Sequence, residues 1–361
     1  MNRPRRTPSI RIRLAIVCAS GMLVARSVAG CSSDTVGRPP PAPVAWSSLE
    51  VQPVLDAGAD ILTAKERALP GAYCAAISSS GFAGLGPLLD EDADFASPGQ
   101  DNAHGREQVV HAHDVLLGAF DDRKLTPSRV WRTPSEQTIE WTFTGTHGRD
   151  WKGIPPTHNP VALKGVTLIW TKDDGSISDV HVYFDVAIAQ VQLGAGPKAL
   201  LPLASSVTPP PTGPAQVFDQ TQTGSADENA NVAVAKSALD ALETHNAPAY
   251  VGAMADDVEV YTAEHTAPSR GKSDARAYYG AMHKGIGQLD TTVTGAWGVA
   301  QFAILEYAIA GEQIGPIQWI PPQRDKVFRY ELVDICEIRD HRIYRIWRYD
   351  NPSQILATTT P

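Results

Sequence analysis

The 361-residue chain lacks several of the patterns that mark common classes of enzyme and metalloprotein. It contains no HExxH pattern and no cluster of cysteine and histidine, so we expect no metal ion. It has no glycine-rich phosphate loop and no serine nucleophile elbow, so the usual nucleotide-binding and serine-hydrolase motifs are missing. We therefore expect no cofactor.

Positive charge is scarce outside the N-terminus. The chain has 31 Lys and Arg against 40 Asp and Glu, a formal net charge of -9. Six of the arginines, and no acidic residue, lie in the first thirty positions, so the rest of the chain carries about -15. Phosphate backbones repel an acidic surface of this kind, and no basic patch interrupts it. We expect no nucleic-acid partner.

The apolar run from Leu14 to Ala25 is too short to span a bilayer as a permanent helix. It follows an arginine-rich start, so residues 1–30 are predicted to be an export signal. Val28-Ala29-Gly30-Cys31 resembles the lipobox of bacterial lipoproteins, which implies that Cys31 is lipidated and anchors the protein at the cell envelope. Residues 31–60 are then a tether and lead-in. The alternative is ordinary secretion with cleavage after Ala29.

Only Cys74 and Cys336 remain once the signal and Cys31 are set aside. Two cysteines this far apart indicate two buried thiols more readily than a disulfide framework, although export leaves a bridge open.

One long stretch of sequence occurs twice in the chain. Corresponding residues of the two copies are a constant 166 positions apart, without insertion or deletion. Glu140 corresponds to Glu306, and Tyr183 corresponds to Tyr349. A period above 100 residues indicates two copies of a whole domain rather than a solenoid. We place the domains at residues 61–194 and 227–361, joined by a proline-rich linker at 195–226.

Within each copy, helical patterns come first and strand patterns follow, which predicts an α+β fold. In the first copy the helices are predicted near 64–79, bent at Pro70, and 105–120. A short strand is predicted at 93–96, and four further strands at 128–132, 137–144, 161–172 and 176–186.

Asp90 to Phe95, followed by His104 to Gln108, resembles the acidic turn and helix start of the nuclear-transport-factor-2-like superfamily. Asp174 to Gly194 is similar to the end of its SnoaL-like branch, which includes polyketide cyclases; ketosteroid isomerases belong to the same superfamily. The resemblance implies a cone-shaped cup, in which helices close a curved antiparallel sheet around an apolar pocket. Because many members pair through their sheets, two copies in one chain imply an internal pseudo-dimer.

His181, Tyr183 and Asp185 are expected to share one face of a strand, because alternate residues point the same way. The resemblance to SnoaL-like cyclases implies that Asp185, seven positions before Gln192, is a general base. His181, on the same strand face, is a second catalytic candidate. The alternative is that Asp185 is an exposed residue at the end of the strand. Its counterpart in the second copy is Asn351, which lacks a base.

A pocket for a flat apolar ligand is predicted from the aromatic residues Trp141, Tyr183, Trp347 and Tyr349, together with Asp334. The alternative places the aromatic residues in the core. Asp334 resembles the protonated acid of ketosteroid isomerases, but the positions where those enzymes carry their base hold Ala96 and Thr262. A buried Asp334 satisfied by hydrogen bonds is the alternative.

The leading hypothesis is an exported, lipid-anchored protein whose cups bind a small hydrophobic molecule without turnover. The second is a cyclase or isomerase that uses Asp185 as its base. The third is a non-catalytic envelope module that binds a partner and whose cups are filled by their own side chains.

Overall fold

The computed structural model describes residues 62–200, 218–263, 265, 267–323 and 326–357, which form two α+β domains of the same plan. The predicted signal, Cys31 and the tether lie outside these residues. In the first domain the elements are α1 (Ala64–Ser78), β1 (Leu89–Ala96), β2 (Ala103–His104), α2 (Arg106–Leu117), β3 (Phe120–Arg132), β4 (Glu136–His147), β5 (Pro160–Thr171), β6 (Ile177–Phe184) and α3 (Val186–Gln192). After β7 (Phe218–Thr221), the second domain has α4 (Ala226–Glu243), α5 (Ala247–Gly252), β8 (Met254–Tyr261), β9 (Ser269–Arg270), α6 (Gly271–Gly285), β10 (Ile286–Val299), β11 (Phe302–Gln313), β12 (Lys326–Arg339), β13 (Arg342–Asp350) and α7 (Ser353–Ala357).

Each domain contains one curved sheet, and the two sheets have the same strand order. The first sheet runs β2-β1-β6-β5-β4-β3-β7 and the second β9-β8-β13-β12-β11-β10. Most neighbours are antiparallel, but β1 lies parallel to β6 and β8 lies parallel to β13. β7, which falls inside the predicted linker, adds a strand parallel to β3 at the edge of the first sheet.

The strand pairing corrects the prediction of a constant 166-residue shift. β3, β4 and β6 do correspond to β10, β11 and β13 at that shift. In the next strand, however, Glu140 pairs with Val166 whereas Glu306 pairs with Val333, so β12 is displaced by 167 residues from β5. β8 is displaced by 165 from β1, and loops of unequal length absorb both differences. Because side chains alternate between the two faces, this one-residue change decides which residues are true counterparts.

The acidic run predicted as a turn instead forms the first half of β1, with a register shift between Leu89 and Asp94. The helix that follows begins at equivalent glycines, Gly105 and Gly271, whose φ angles are 89° and 75°. Glycine adopts these left-handed angles without a Cβ clash, which explains why both copies carry it.

Helix α1 continues through Pro70, where a bend was predicted. Proline has no backbone N–H, so the carbonyl of Glu66 loses its helical donor. Arg132 Nη1 donates to that carbonyl at 2.7 Å, and Gln137 Nε2 donates at 3.1 Å. Side chains from β3 and β4 thus replace the missing hydrogen bond and join the helix to the sheet.

Three apolar clusters follow from strand alternation. One fills the first domain between its sheet and helices, and a second does the same in the second domain. The third lies between the two sheets and draws on strands of both domains. The domains therefore pack sheet to sheet, as the resemblance to paired cups predicted. Cys74 and Cys336 are buried free thiols, one in each domain.

Gly165 of β5 is expected to tolerate no side chain. A Cβ there would lie 2.3 Å from Cη2 of Trp141 and 2.6 Å from the backbone oxygen of Tyr183. Gly165→Ala should lower the free energy of unfolding by about 1–3 kcal/mol, measured by denaturant titration. Gly71→Ala is the matched control, because a Cβ within α1 would meet nothing within 4 Å. It should raise stability by about 0.5–1 kcal/mol. A neutral Gly165→Ala would contradict the packing described here.

Candidate functional site

His181 and Tyr183 share one face of β6, as predicted, but that face is turned toward the second domain. Nδ1 of His181 is hydrogen-bonded to Glu306 Oε1. The hydroxyl of Tyr183 donates to the same carboxylate oxygen at 2.8 Å. Two residues predicted to act in the first cup therefore hold a buried carboxylate of the other domain.

The tyrosine–glutamate hydrogen bond occurs a second time, with the two domains exchanged. The hydroxyl of Tyr349, from the second domain, donates to Glu140 of the first. Each glutamate also accepts a hydrogen bond from a hydroxyl of its own domain. Ser128 donates to Glu140 at 2.9 Å, and Thr294 donates to Glu306 at 3.1 Å. The two domains thus exchange tyrosine hydroxyls across a pseudo-twofold axis.

The cations beside the two glutamates break this symmetry. Arg129 binds Glu140 within its own domain, through Nε and Nη2, each at 2.5 Å. Its guanidinium lies 3.8 Å from the ring centre of Trp347. In the second domain Gly295 stands where the first has Arg129, and the cation for Glu306 is His181 from the opposite side.

Both ring nitrogens of His181 face carboxylates, because Nε2 lies 3.2 Å from Asp179. Burial by itself would lower the pKa of His181, but the hydrogen bonds with Asp179 and Glu306 outweigh it and raise the pKa to about 10. Burial would likewise raise the pKa of Glu140, yet the Arg129 guanidinium and the Tyr349 hydroxyl lower it to about 2. His181 therefore carries a positive charge, and Glu140 a negative one, near neutral pH.

Tyr183, Trp347 and Tyr349 were predicted to line a ligand pocket, and the structure corrects this. All three belong to the apolar cluster between the sheets. A strand pattern shows that residues two apart share a face, but both faces of these strands are buried, one in the cup and one against the partner domain.

Asp185 lies just beyond the end of β6 and caps helix α3. Its Oδ1 accepts the backbone N–H of Ala187 at 2.7 Å, and the residue is 2% exposed. It is therefore not the exposed strand-end residue of the alternative reading. Asn351, its counterpart, donates to the backbone oxygen of Pro98 at 2.8 Å.

Trp141, predicted to line a ligand pocket, lies in the buried core of the first domain and donates through Nε1 to Thr167 Oγ1 at 2.9 Å. The hydroxyl of Tyr73 is 3.0 Å from Nε2 of the buried His113. Nδ1 of this histidine lies 2.8 Å from the carbonyl of Val109, so it carries the hydrogen and Nε2 accepts from Tyr73. Burial lowers the pKa of His113 to about 4, so the ring is neutral. Aromatic side chains and their own hydrogen bonds fill this interior.

The second cup contains two cavities. A cavity of about 90 Å³ opens between α6, β8 and β13, and a smaller one of about 30 Å³ lies deeper, against α4. Small and aliphatic residues of α4, Ala235, Ala238, Leu239 and Leu242, line the smaller cavity. The larger cavity is lined by the apolar residues Met254, Val260, Ala275 and Ile346, by Gly271, and by the polar residues Tyr250, Thr262, His265, Ser269, Asp274, Tyr278, Gln318 and Arg348. Burial lowers the pKa of His265, which favours its neutral form.

Arg348 forms the polar end of the cavity. Its Nε and Nη2 donate to Asp334 at 2.8 and 2.7 Å, and Tyr307 donates to the same carboxylate at 2.8 Å. Asp334, which is 6% exposed, is thus the buried aspartate satisfied by hydrogen bonds of the alternative reading. Its oxygens already accept three hydrogen bonds, so it acts as an acceptor and not as the donor acid that the isomerase resemblance implied.

Arg348 and Tyr278 have hydrogen-bond donors that other protein groups do not use. Of the five guanidinium N–H groups, two go to Asp334, one to Tyr307 at 3.2 Å and one to the Tyr278 hydroxyl. A guanidinium can only donate, so Tyr278 accepts and its own O–H stays available. Burial raises the pKa of Tyr278 to about 12, which keeps that proton in place near neutral pH. Two donors, the Tyr278 hydroxyl and one Nη1–H, therefore remain for a ligand.

The roles of Arg348, Tyr278 and the two interdomain glutamates were not predicted from the sequence. The sequence does contain a signal for Arg348. It lies between Trp347 and Tyr349, so strand alternation places it on the same face of β13 as Ile346. Asp350 shares that face, and charged residues beside Ile346 on one face of a strand indicate buried partners. Tyr278 has no such signal, since its position depends on how α6 packs.

The geometry defines a class of protein: paired α+β cups, one filled and one hollow, joined through their sheets. The sequence matches two family models, SnoaL-like polyketide cyclase over residues 68–193 and SnoaL-like domain over 235–346. The chain is a tandem SnoaL-like protein. No curated protein matches its sequence significantly.

Several solved structures are similar to one domain at a time. A hypothetical protein with a ketosteroid isomerase-like fold from Catenulispora acidiphila, in complex with trimethylamine, is 18% identical and covers 36% of this chain and 97% of its own, with a TM-score of 0.31. TsrD from Streptomyces laurentii is 19% identical over 36% and 98% of the two chains, with a TM-score of 0.33. An LEH-like epoxide hydrolase from M. tuberculosis is 14% identical over 37% and 91%, with a TM-score of 0.31.

In the part of the chain that the structure describes, no three side chains of His, Cys, Asp or Glu converge in a way that could hold a metal ion. Among the helices of the same residues, none has the length and apolar character needed to cross a bilayer.

His181 should make stability depend on alkaline pH. The pKa of His181 is raised from about 6.5 in the unfolded chain to about 10 in the folded protein. Its contribution to the free energy of unfolding is therefore complete below pH 6.5 and is lost as the pH rises through about 10. We expect His181→Gln to lower the free energy of unfolding by about 3 kcal/mol near pH 7, and the deficit to shrink toward pH 10. Denaturant titrations across this range measure the difference from wild type. His158→Gln, at an exposed histidine, is the control and should change little; a deficit for His181→Gln that is independent of pH would refute the assignment.

Proposed function

We propose that the second domain binds a small, largely apolar molecule in its cup, and that the first domain does not. The observation that carries this proposal is the cavity of about 90 Å³ with Tyr278 and Arg348 on its wall. Apolar pockets with a few convergent polar groups are typical ligand sites. In the first cup, Tyr73 and His113 occupy the interior.

The ligand is expected to be neutral and to carry an acceptor oxygen of the carbonyl type. Asp334 cancels the charge of Arg348, so the cavity has no uncompensated positive charge to attract an anion. Asp274 on the wall, and Asp350 behind Gln318, disfavour a carboxylate further. The two remaining donors suit one ketone, ester or amide oxygen.

An enzyme that uses Asp185 as its base is less well supported. Neither cavity has Asp185 on its wall, and Oδ1 of that carboxylate caps a helix. The third hypothesis, cups filled by their own side chains, agrees with the first domain but not with the second. Binding without turnover therefore remains our proposal.

Tyr278→Phe should weaken binding of a neutral carbonyl compound. Loss of one hydrogen bond to the ligand is expected to raise the Kd of cyclopentanone about 5–15-fold, measured by ligand-observed NMR. Tyr279→Phe is the matched control, because this neighbour packs against Tyr250 and His283 and lines neither cavity. It should leave the Kd within about twofold.

Cyclopentane and cyclopentanecarboxylate complete that experiment. The first lacks the acceptor oxygen and should bind equally to wild type and Tyr278→Phe; the second should bind more weakly than the ketone. Preference for the carboxylate, or equal losses in the two tyrosine variants, would count against the proposed ligand class. Absence of binding by all three compounds would count against the cup as a site for small carbonyl compounds.

We also propose that the protein is exported and held at the cell envelope by lipid on Cys31. The support comes from the sequence: an arginine-rich start, the apolar run from Leu14 to Ala25, and Val28-Ala29-Gly30-Cys31.

Cys31→Ser should release the protein from the membrane fraction of a bacterial host, and Cys18→Ser, inside the proposed signal, should not. Fractionation and the intact mass of the mature N-terminus measure this outcome. Equal membrane association of wild type and Cys31→Ser would argue for ordinary secretion or another mode of attachment.

A further inference from the structure

Trp319 lines neither cavity of the second cup but directly follows Gln318, which lines the larger one. It stands in the loop after β11, where the backbone N–H groups of Ile317 and Ile320 each donate to the other residue's carbonyl, at 3.1 and 2.8 Å. The residue before it, Gln318, lines the cavity and donates through Nε2 to Asp350 at 3.1 Å. Movement of Trp319 would therefore move a wall of the ligand site.

The indole of Trp319 packs in two directions. On one side it contacts the core of the second domain. On the other it packs against a small cluster of the first domain, formed by Ala187, Val191 and Leu200. Trp319 thus connects the cup mouth of one domain to helix α3 of the other.

Helix α3 is held rigidly on the first domain. Asp185 caps its first turn at 2.7 Å. At the other end, the side-chain amide of Gln192 pairs with the backbone of Ala162, donating at 2.9 Å and accepting at 2.8 Å. Fixed at both ends, the helix holds Ala187 and Val191 in the cluster against which Trp319 packs.

This connection runs in one direction only. The first domain has the same loop, closed by a bridge between Trp151 and Ile154, but the counterpart of Trp319 there is Gly153. Gly153 has a φ of 78°, and a Cβ built on it would meet nothing within 4 Å. The filled cup therefore has no such support, while the hollow cup has it.

We propose that the first domain positions the mouth of the second cup through the contact of α3 with Trp319. Val191 and Trp319 are positioning residues, and Asp185 and Gln192 act through α3. The functional part of this proposal rests on the proposed binding of a ligand in the second cup. The coupling between α3 and the loop of Trp319 does not require a ligand.

Val191→Ala tests the coupling. Hydrogen exchange read by mass spectrometry should show faster exchange in the segment 314–323, by about fivefold, while the strand segment 302–313 changes little. Val180→Ala is the matched control, since it removes the same atoms from the buried core of the first domain, away from Trp319. Val191→Ile should keep exchange in 314–323 at the wild-type rate.

A second readout uses cyclopentanone. Its Kd should rise about threefold or more in Val191→Ala and stay unchanged in Val180→Ala. Unchanged exchange of 314–323 in Val191→Ala, or an equal increase in both variants, would overturn the coupling. Failure of cyclopentanone to bind wild type would instead count against the proposed ligand class and leave the exchange result to decide the coupling.

Discussion

Burial of two glutamates between the sheets is the constraint on which the rest of the structure depends. Glu140 and Glu306 are 9% and 4% exposed. A carboxylate taken out of water without partners costs several kcal/mol, so each must find donors nearby. Each receives one from a tyrosine of the other domain. Separation of the sheets would remove those donors and expose the aromatic cluster around them, so the two domains form one unit.

Within that unit, the counterpart positions have diverged where symmetry is no longer required. In a homodimer every substitution appears on both sides of the axis, whereas in a tandem chain it appears once. Arg129 could therefore become the cation for Glu140 while Gly295 stands at its counterpart, and His181 could supply Glu306 while Trp347 stands opposite. Each glutamate keeps one cation, but the cation comes from a different place.

The cups have diverged in the same way. Trp141 and Thr167 in the first cup correspond to Tyr307 and Asp334 in the second. The carboxylate of Asp334 forms an ion pair with Arg348. Replacement of aromatic bulk by a hydrogen-bonded network leaves space in the second cup and a pair of donors at its end. The filled domain then provides a surface for α3 and Trp319. The fold is common to both copies, and the site belongs to one of them.

The sequence by itself determined the duplication, the α+β order of elements and the correspondence of Glu140 to Glu306 in the two copies. These depend on local periodicity and on residues repeated along the chain. It also indicated that His181 and Tyr183 share a face. Only the tertiary structure decided what that face meets, because both faces of this strand are covered and alternation does not show which neighbour covers each. The one-residue displacement of β12, which makes Asp334 the counterpart of Thr167, was likewise invisible, since loop lengths absorb it. Arg348 and Tyr278 are brought together by the packing of α6 on the sheet, a long-range contact that no local pattern encodes.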